Sequence, residues 1–344
     1  MANELAGMAA AADRGSGRRA LVIGVNGQDG SYLAEHLLDR GWRVIGIGRQ
    51  ADSRFIADGT PNYTYVAADI SRDREVLPDL LVRARPDRVC HLAAVHGASG
   101  FVYEDHWQDA LQVNTGSVHQ ILEYIRSTNP DARLLYASSV KAFDGVPPPI
   151  THEDLPRNST CLYSITKNAA TDLIGYYRRH HGVRATVLFL FNHESPRRPG
   201  HYVLPRITAM LAAALRGKPP GEPLRSLNFA CDWGSSAEFM QLGARLLEAP
   251  QNQDYVMATG RTWTGLEFTR ELFARAGINW AAHVPVVETP DKSFSAPFRA
   301  DISRMTGVLG HGPQLTPLDV AAWILSANHG LTLTPQRVRD AART

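Results

Sequence analysis

Cysteine is scarce: Cys90, Cys161 and Cys231 are the only 3 in 344 residues, widely spaced and without a C-x-x-C pair. That excludes a disulfide framework and paired-thiol zinc sites, and it suits reduced thiols in a cytoplasmic protein. No apolar run approaches the roughly 20 residues a helix needs to span a bilayer, so no membrane partner is expected. The chain has no basic run and no arginine-rich helix, and nucleic acid is not expected either. The 13 histidines are scattered and form no metal-spaced set with carboxylates, so no metal site is expected. There is no internal repeat and no low-complexity tract. Residues 1–19 contain acidic residues and lack a compact apolar segment; they read as a disordered tail, not a signal peptide.

What is present begins at Ala20. The apolar run Ala20 to Ile23 leads into Gly24, Gly27 and Gly30, then a helical pattern (Tyr32, Leu33, Leu37, Leu38) and a second apolar run, Val44 to Ile47. Strand, glycine turn, helix and strand form the first βαβ unit of a dinucleotide-binding fold. The glycines allow a tight turn, close approach of backbone to a diphosphate, and close packing of helix on strand. The diphosphate is expected on the amides opening the helix at Ser31. At the end of the second strand Arg49 stands where NAD enzymes place a carboxylate, and a guanidinium there favours the 2′-phosphate of NADP over NAD.

A third strand, Tyr63 to Ala67, ends near Asp69, which can accept from an adenine amino group or cap the segment starting at Ser71. Arg88 to Leu92 reads as a fourth strand opening into Ala93, Ala94, Val95, His96 and Gly97, mostly small residues that let backbone pass close to a cofactor. A long amphipathic helix, about Trp107 to Ser127, follows and carries Asn114, which can brace a site or tie helix to strand. The fifth strand, Arg133 to Ala137, delivers Ser138, Ser139, Val140 and Lys141 to the carboxyl edge of the sheet, where open α/β sheets bind ligands. Tyr163 and Lys167 are spaced i, i+4 at the start of another helix and so share one face. An ammonium there lowers the phenol's pKa toward what proton transfer near neutrality requires and can hydrogen-bond a ribose. Cys161 lies two residues before Tyr163, whereas Cys90 reads as core. Strand six, Arg184 to Phe191, precedes a change in pattern. The chain therefore reads as α/β, a Rossmann-type doubly wound parallel sheet with a smaller C-terminal substrate-binding domain. The expected division is 20–191 and 192–344, with segments near 227–250 returning to the first domain.

Four words make the chain resemble the GDP-mannose 4,6-dehydratases, a branch of the extended short-chain dehydrogenase/reductases: GQDGSYLAE (Gly27 to Glu35), FNHESPRR (Phe191 to Arg198), DWG (Asp232 to Gly234) and DYVMATG (Asp254 to Gly260). They fall in family order from residue 20 to about 310. The resemblance implies an NADP-binding Rossmann domain and a nucleotide-diphosphate-sugar substrate. It implies Ser139 as the hydroxyl group, Tyr163 as general base and Lys167 as the ribose and pKa partner. It adds Asn26, Gln28, Asp29, Ile70, Leu92, Ala93, Ala94 and His193 around the cofactor. His96, Asn192, Arg206, Cys231 and Lys292 are added around the substrate. A homodimer is expected, through the helices near residues 111–127 and 163–181, with a homotetramer as the alternative.

The chain departs from the family at its acid. Where the family's strand reads like S-T-S-E, this chain has Ser138, Ser139, Val140 and Lys141, a lysine in place of the glutamate that handles the C5 proton and the leaving hydroxyl. Before DWG the family's diphosphate-clamping arginine is Cys231. The expected reaction is therefore C4 oxidation and hydride return as a C4 epimerase. The alternatives are dehydration with an acid relocated to Glu104, Asp144 or Glu153, net reduction of a 4-keto sugar, or a cofactor-binding scaffold without catalysis.

Overall fold

The computed structural model describes residues 17–97, 101–143, 150–287 and 299–333. Most of the amino-terminal tail, Asp144 and Lys292 lie outside these residues.

Seven parallel strands form the main sheet in the order β11-β7-β5-β4-β1-β2-β3. Its first half is β1 (Arg19–Ile23), α1 (Gln28–Asp39), β2 (Arg43–Gly48), β3 (Tyr63–Ala67), α2 (Val76–Ala84) and β4 (Arg88–His91). The sequence order reverses between β1 and β4, and that switch point is where ligands sit in open α/β sheets. The strands are covered on both faces, so they read as unbroken apolar runs; Leu21, Val22, Val89, Leu134, Leu135 and Val187 are fully buried.

The long amphipathic helix is interrupted. It runs as α3 (Trp107–Leu111), one π-helical turn (Gln112–Gly116) and α4 (Ser117–Ser127). β5 (Arg133–Ser139) carries both serines inside the strand, two residues further than the apolar run alone indicates. The two-residue β6 (Ile150–Thr151) comes next, then α5 (Leu162–His181) and β7 (Arg184–Leu190). The seventh strand, β11 (Asp254–Met257), pairs in parallel with β7 and closes that side of the sheet.

By its internal contacts the chain divides into two units. The first holds residues 1–146, 153–190 and 240–257, and the second holds 147–152, 191–239 and 258–344. The second unit contains β8 (Asn192–Glu194), α6 (Val203–Leu215), β9 (Ala230–Cys231), β10 (Trp233–Ser235), β12 (Trp263–Thr264) and α8 (Gly265–Ala274). α7 (Ser236–Glu248) spans the boundary between the units in sequence, and α9 (Ser303–Leu309) and α10 (Pro317–His329) complete the second unit. Its core gathers Trp233, Phe268, Phe273, Leu211 and Ile324. Among the described residues no helix is long and apolar enough to cross a membrane.

Candidate active site

The glycine turn after β1 shows why its residues cannot be larger. Gly24 has φ +89°, and a Cβ there would stand 2.7 Å from the Ala93 nitrogen. A Cβ on Gly30 would stand 2.2 Å from the Gly24 oxygen and 2.8 Å from the Val25 Cα, so α1 can lie on the turn only without a side chain. Gly27 is the N-cap of α1, which starts at Gln28 and not at Ser31. The Ser31 amide is bonded to the Gly27 oxygen at 3.1 Å, and the amides of residues 28–30 belong to the first turn of the helix. Such an end suits a diphosphate. Ile70 is buried, and Leu92 and Ala93 are partly covered beside the turn.

Arg49 is exposed at the end of β2. Burial pushes the Asp69 carboxyl up, but bonds from the Ser71 amide and hydroxyl and the charges of Arg49 and Arg72 outweigh it and hold it below its ordinary value. Those two bonds, at 3.0 and 2.7 Å, make Asp69 the anchor of a turn and not a helix cap, since α2 starts only at Val76.

α5 begins at Cys161, whose thiol accepts from the Ser164 amide at 3.5 Å while the Ser164 hydroxyl accepts from the Cys161 amide at 3.1 Å. The cysteine beside Tyr163 therefore caps that helix in the way a serine would. Lys167 is 2% exposed, and its Nζ donates to the Ala137 oxygen on β5 at 2.7 Å, which ties α5 to the strand bearing Ser139. The same nitrogen stands 5.8 Å from the Tyr163 ring centre. Burial pushes the lysine down to about 7, and the Asp29 carboxylate pulls in the opposite direction. Lys167 thus titrates near neutrality, and any anion formed beside it favours its charged form.

Ser139 sits at the last position of β5, and its Oγ accepts from the Lys141 amide at 3.2 Å. Lys141 lies on a short 3-10 turn with its side chain exposed. Of the carboxylates considered as a relocated acid, Glu153 is buried and accepts from the Val256 amide on β11 at 2.6 Å, a structural bond. Glu104 is exposed on a 3-10 turn.

The π-turn explains Asn114. Its Oδ1 accepts from the Val95 amide at 3.0 Å, its Nδ2 donates to Thr166 Oγ1 at 3.0 Å, and its backbone oxygen accepts from the Tyr136 hydroxyl at 3.0 Å. One buried side chain thereby fixes both the loop after β4 and the helix bearing Tyr163. The extra residue of a π-turn, common at functional sites, turns it inward. Just beyond, His96 Nδ1 pairs with the Tyr103 hydroxyl at 3.0 Å. Their rings lie 5.0 and 5.9 Å from the Tyr163 ring. Nothing in the spacing of the sequence singles out Tyr103.

In the second unit Asn192 is exposed on β8, and His193 Nδ1 donates to the Phe191 oxygen at 2.6 Å. The Arg206 guanidinium donates to the Glu222 and Pro223 oxygens at 2.9 and 3.0 Å. Cys231 is 7% exposed within the apolar core, a thiol among Trp233 and Trp263. Asp232 next to it is fully buried and holds the Thr259 amide and hydroxyl at 2.9 and 2.7 Å.

Comparison with known proteins agrees with this architecture. A GDP-mannose 4,6 dehydratase family model matches residues 21–307. GDP-mannose 4,6 dehydratase 1 of Arabidopsis thaliana is 33% identical over 86% of this chain and 85% of its own length. The GDP-mannose 4,6-dehydratase of Yersinia enterocolitica is 30% identical over 76% and 73%. The fold is shared with UDP-glucose 4-epimerase of Thermotoga maritima, at TM-score 0.77 and 19% identity over 91% of this chain and 99% of that one. It is shared too with UDP-glucuronic acid 4-epimerase of Bacillus cereus, solved with NAD, at TM-score 0.69 and 20% identity over 89% and 98%. With a Rossmann-type seven-stranded sheet, a family match over most of its length and relatives at this identity, the chain belongs to the GDP-mannose 4,6-dehydratase family of nicotinamide-dependent nucleotide-sugar enzymes.

Proposed function

We propose that this chain is an NADP-dependent enzyme that oxidises a nucleotide-diphosphate sugar at C4 and returns the hydride to the other face of the same carbon, a C4 epimerisation. The observation that carries the reading is Lys141, which stands where the family's glutamate belongs beside an otherwise complete set of Ser139, Tyr163 and Lys167. When bound, the nicotinamide takes up and gives back the hydride.

Tyr163 removes the C4 hydroxyl proton as its general base. Lys167, buried at its side, takes the charged form as the phenolate develops and so lowers the cost of making it; the same ammonium donates to the nicotinamide ribose. Ser139, with its Oγ already accepting from the Lys141 amide, has its proton free to donate to O4 and hold that oxygen in place. Without a carboxylate next to Ser139 the C5 proton stays on the sugar, so the 4-keto sugar turns over and is reduced from its opposite face. Gly24, Gly27 and Gly30 with the amides of residues 28–30 hold the diphosphate of the cofactor, and Arg49 holds its 2′-phosphate. Asn192 and Arg206 are assigned to the nucleotide sugar. The buried Cys231 leaves the substrate's diphosphate without the family arginine. Leu111, Ile165 and Tyr176, 39, 42 and 48% exposed on α3 and α5, support a homodimer.

A second reading, dehydration with a relocated acid, draws on Glu104, which follows Tyr103 in the turn beside Tyr163. The test is incubation with nucleotide sugars in deuterated water, read by NMR. Inversion at C4 without solvent label is expected, and Tyr163→Phe is expected to lower the rate by about 100-fold or more. Deuterium at C5 with loss of the 6-hydroxyl overturns epimerisation in favour of dehydration, and stoichiometric NADPH consumption on a 4-keto sugar overturns it in favour of reduction.

A further inference from the structure

Two strand glycines face two tyrosines. Gly46 and Gly48 lie on β2, and Tyr63 and Tyr65 lie two apart on one face of the neighbouring edge strand β3. A Cβ on Gly46 would stand 2.8 Å from the Tyr63 hydroxyl, and one on Gly48 would stand 2.7 Å from the Tyr65 hydroxyl. Both phenols therefore reach across positions that only glycine leaves open.

They reach the loop 49–54. The Tyr65 hydroxyl donates to the Gln50 oxygen at 2.6 Å, and Tyr63 pairs with the Ser53 hydroxyl at 2.9 Å. From the glycine turn Asn26 completes the clasp. Its Nδ2 lies 3.0 Å from Gln50 Oε1, 3.0 Å from the Asp52 oxygen and 3.1 Å from the Tyr65 hydroxyl, and its Oδ1 accepts from the Arg54 amide at 2.8 Å. An exposed six-residue loop is thus held at residues 50, 52, 53 and 54 by three side chains, and Arg49 is its first residue.

Loops of this exposure are ordinarily free to move, and an arginine on a moving loop loses conformational entropy when it captures a phosphate. Holding the loop in advance removes most of that cost for the 2′-phosphate and changes nothing for a cofactor that lacks it. From this geometry we infer that Asn26, Tyr63 and Tyr65 are positioning residues for cofactor selectivity: they fix the 49–54 loop in the shape that presents Arg49 to a 2′-phosphate. The inference rests on the NADP reading above and adds to it the residues that build the selectivity.

The experiment is fluorescence titration of the full-length protein with NADPH and with NADH, which differ only in the 2′-phosphate, for the unaltered protein, Asn26→Ala, Tyr65→Phe and Arg49→Ala. Tyr65→Phe keeps the ring over Gly48 and removes only the hydroxyl, so it guards against a variant that fails to fold. The expected result is a loss of about tenfold in NADPH affinity for Asn26→Ala and severalfold for Tyr65→Phe, the scale of one or two neutral hydrogen bonds, with the preference for NADPH over NADH falling in both and NADH affinity changed less than about twofold for Tyr65→Phe. A purely structural role would weaken both cofactors alike, and that outcome overturns the inference. If the unaltered protein and Arg49→Ala bind both cofactors equally, the NADP reading falls and takes the inference with it. If the unaltered protein prefers NADPH and the clasp variants keep its ratio, the inference alone falls.

Discussion

Replacing Lys167 by Met should change how stability depends on pH more than it changes stability itself. The lysine is 2% exposed, and burial lowers it from its ordinary 10.5 to about 7. Between those values the unfolded chain holds a proton that the folded chain gives up, so the free energy of unfolding rises with pH across that window and is lowest below it. A shift of roughly 3.5 units is worth about 5 kcal/mol in total. Over the stretch from pH 7 to 9 it contributes about 2 kcal/mol. This stretch is the cleanest to measure. His91, pushed down to about 3, acts below it, while Cys90, pushed up to about 12, acts above it with the opposite sign. Urea unfolding of the cofactor-free protein at half-unit pH steps should show the unaltered chain gaining about 2 kcal/mol on Lys167→Met between pH 7 and 9. The comparison uses slopes, so the lost bond to the Ala137 oxygen cancels. Parallel stability curves for the two proteins would show that Lys167 keeps an ordinary pKa when folded, so that it is already charged before Tyr163 ionises and does not take up its proton as the phenolate develops.

Much of the first unit is legible because its signals are local. The glycine turn, the apolar runs of the sheet and the i, i+4 pair Tyr163 and Lys167 are written within short windows, and the structure places each in the expected element. Sequence pattern puts the start of α1 at Ser31 because Gln28 and Asp29 carry no helical periodicity of their own; the turn from Gly24 to Gly27 sets the boundary at Gln28 instead. The π-turn at Gln112–Gly116 left no trace, since one extra residue inside an amphipathic pattern shifts the apolar face only slightly. β11 does not show in the sequence as a strand, because Asp254–Met257 is too short for alternation to be visible. The clasp on the 49–54 loop was hidden for another reason. G-x-G on one strand and Y-x-Y on its neighbour become a pattern only once the register places them side by side.

Three further substitutions probe the turn and the end of β5. Gly30→Ala puts its methyl 2.2 Å from the Gly24 oxygen, where only backbone could yield, whereas the same change at Gly27 meets one oxygen at 3.2 Å. Gly30→Ala is therefore expected to cost about 1–3 kcal/mol of stability and most of the dinucleotide affinity, and Gly27→Ala much less of both, as thermal melting and NADPH titration would record. Lys141→Glu places the carboxylate that the family resemblance implies at an exposed position on the turn after Ser139. The bond from residue 141 to Ser139 Oγ comes from the backbone amide, so the exchange leaves it in place and stability should change by less than about 0.5 kcal/mol. What changes is chemical: a carboxylate two residues beyond the serine can take the C5 proton and return it to the departing hydroxyl. If the lysine is what keeps this chain from dehydrating its substrate, the variant should incorporate solvent deuterium at C5 and release 6-deoxy product while the unaltered protein does neither. A variant that still inverts C4 and never exchanges C5 would mean that the lysine is a bystander, and that residues other than 141 separate epimerisation from dehydration.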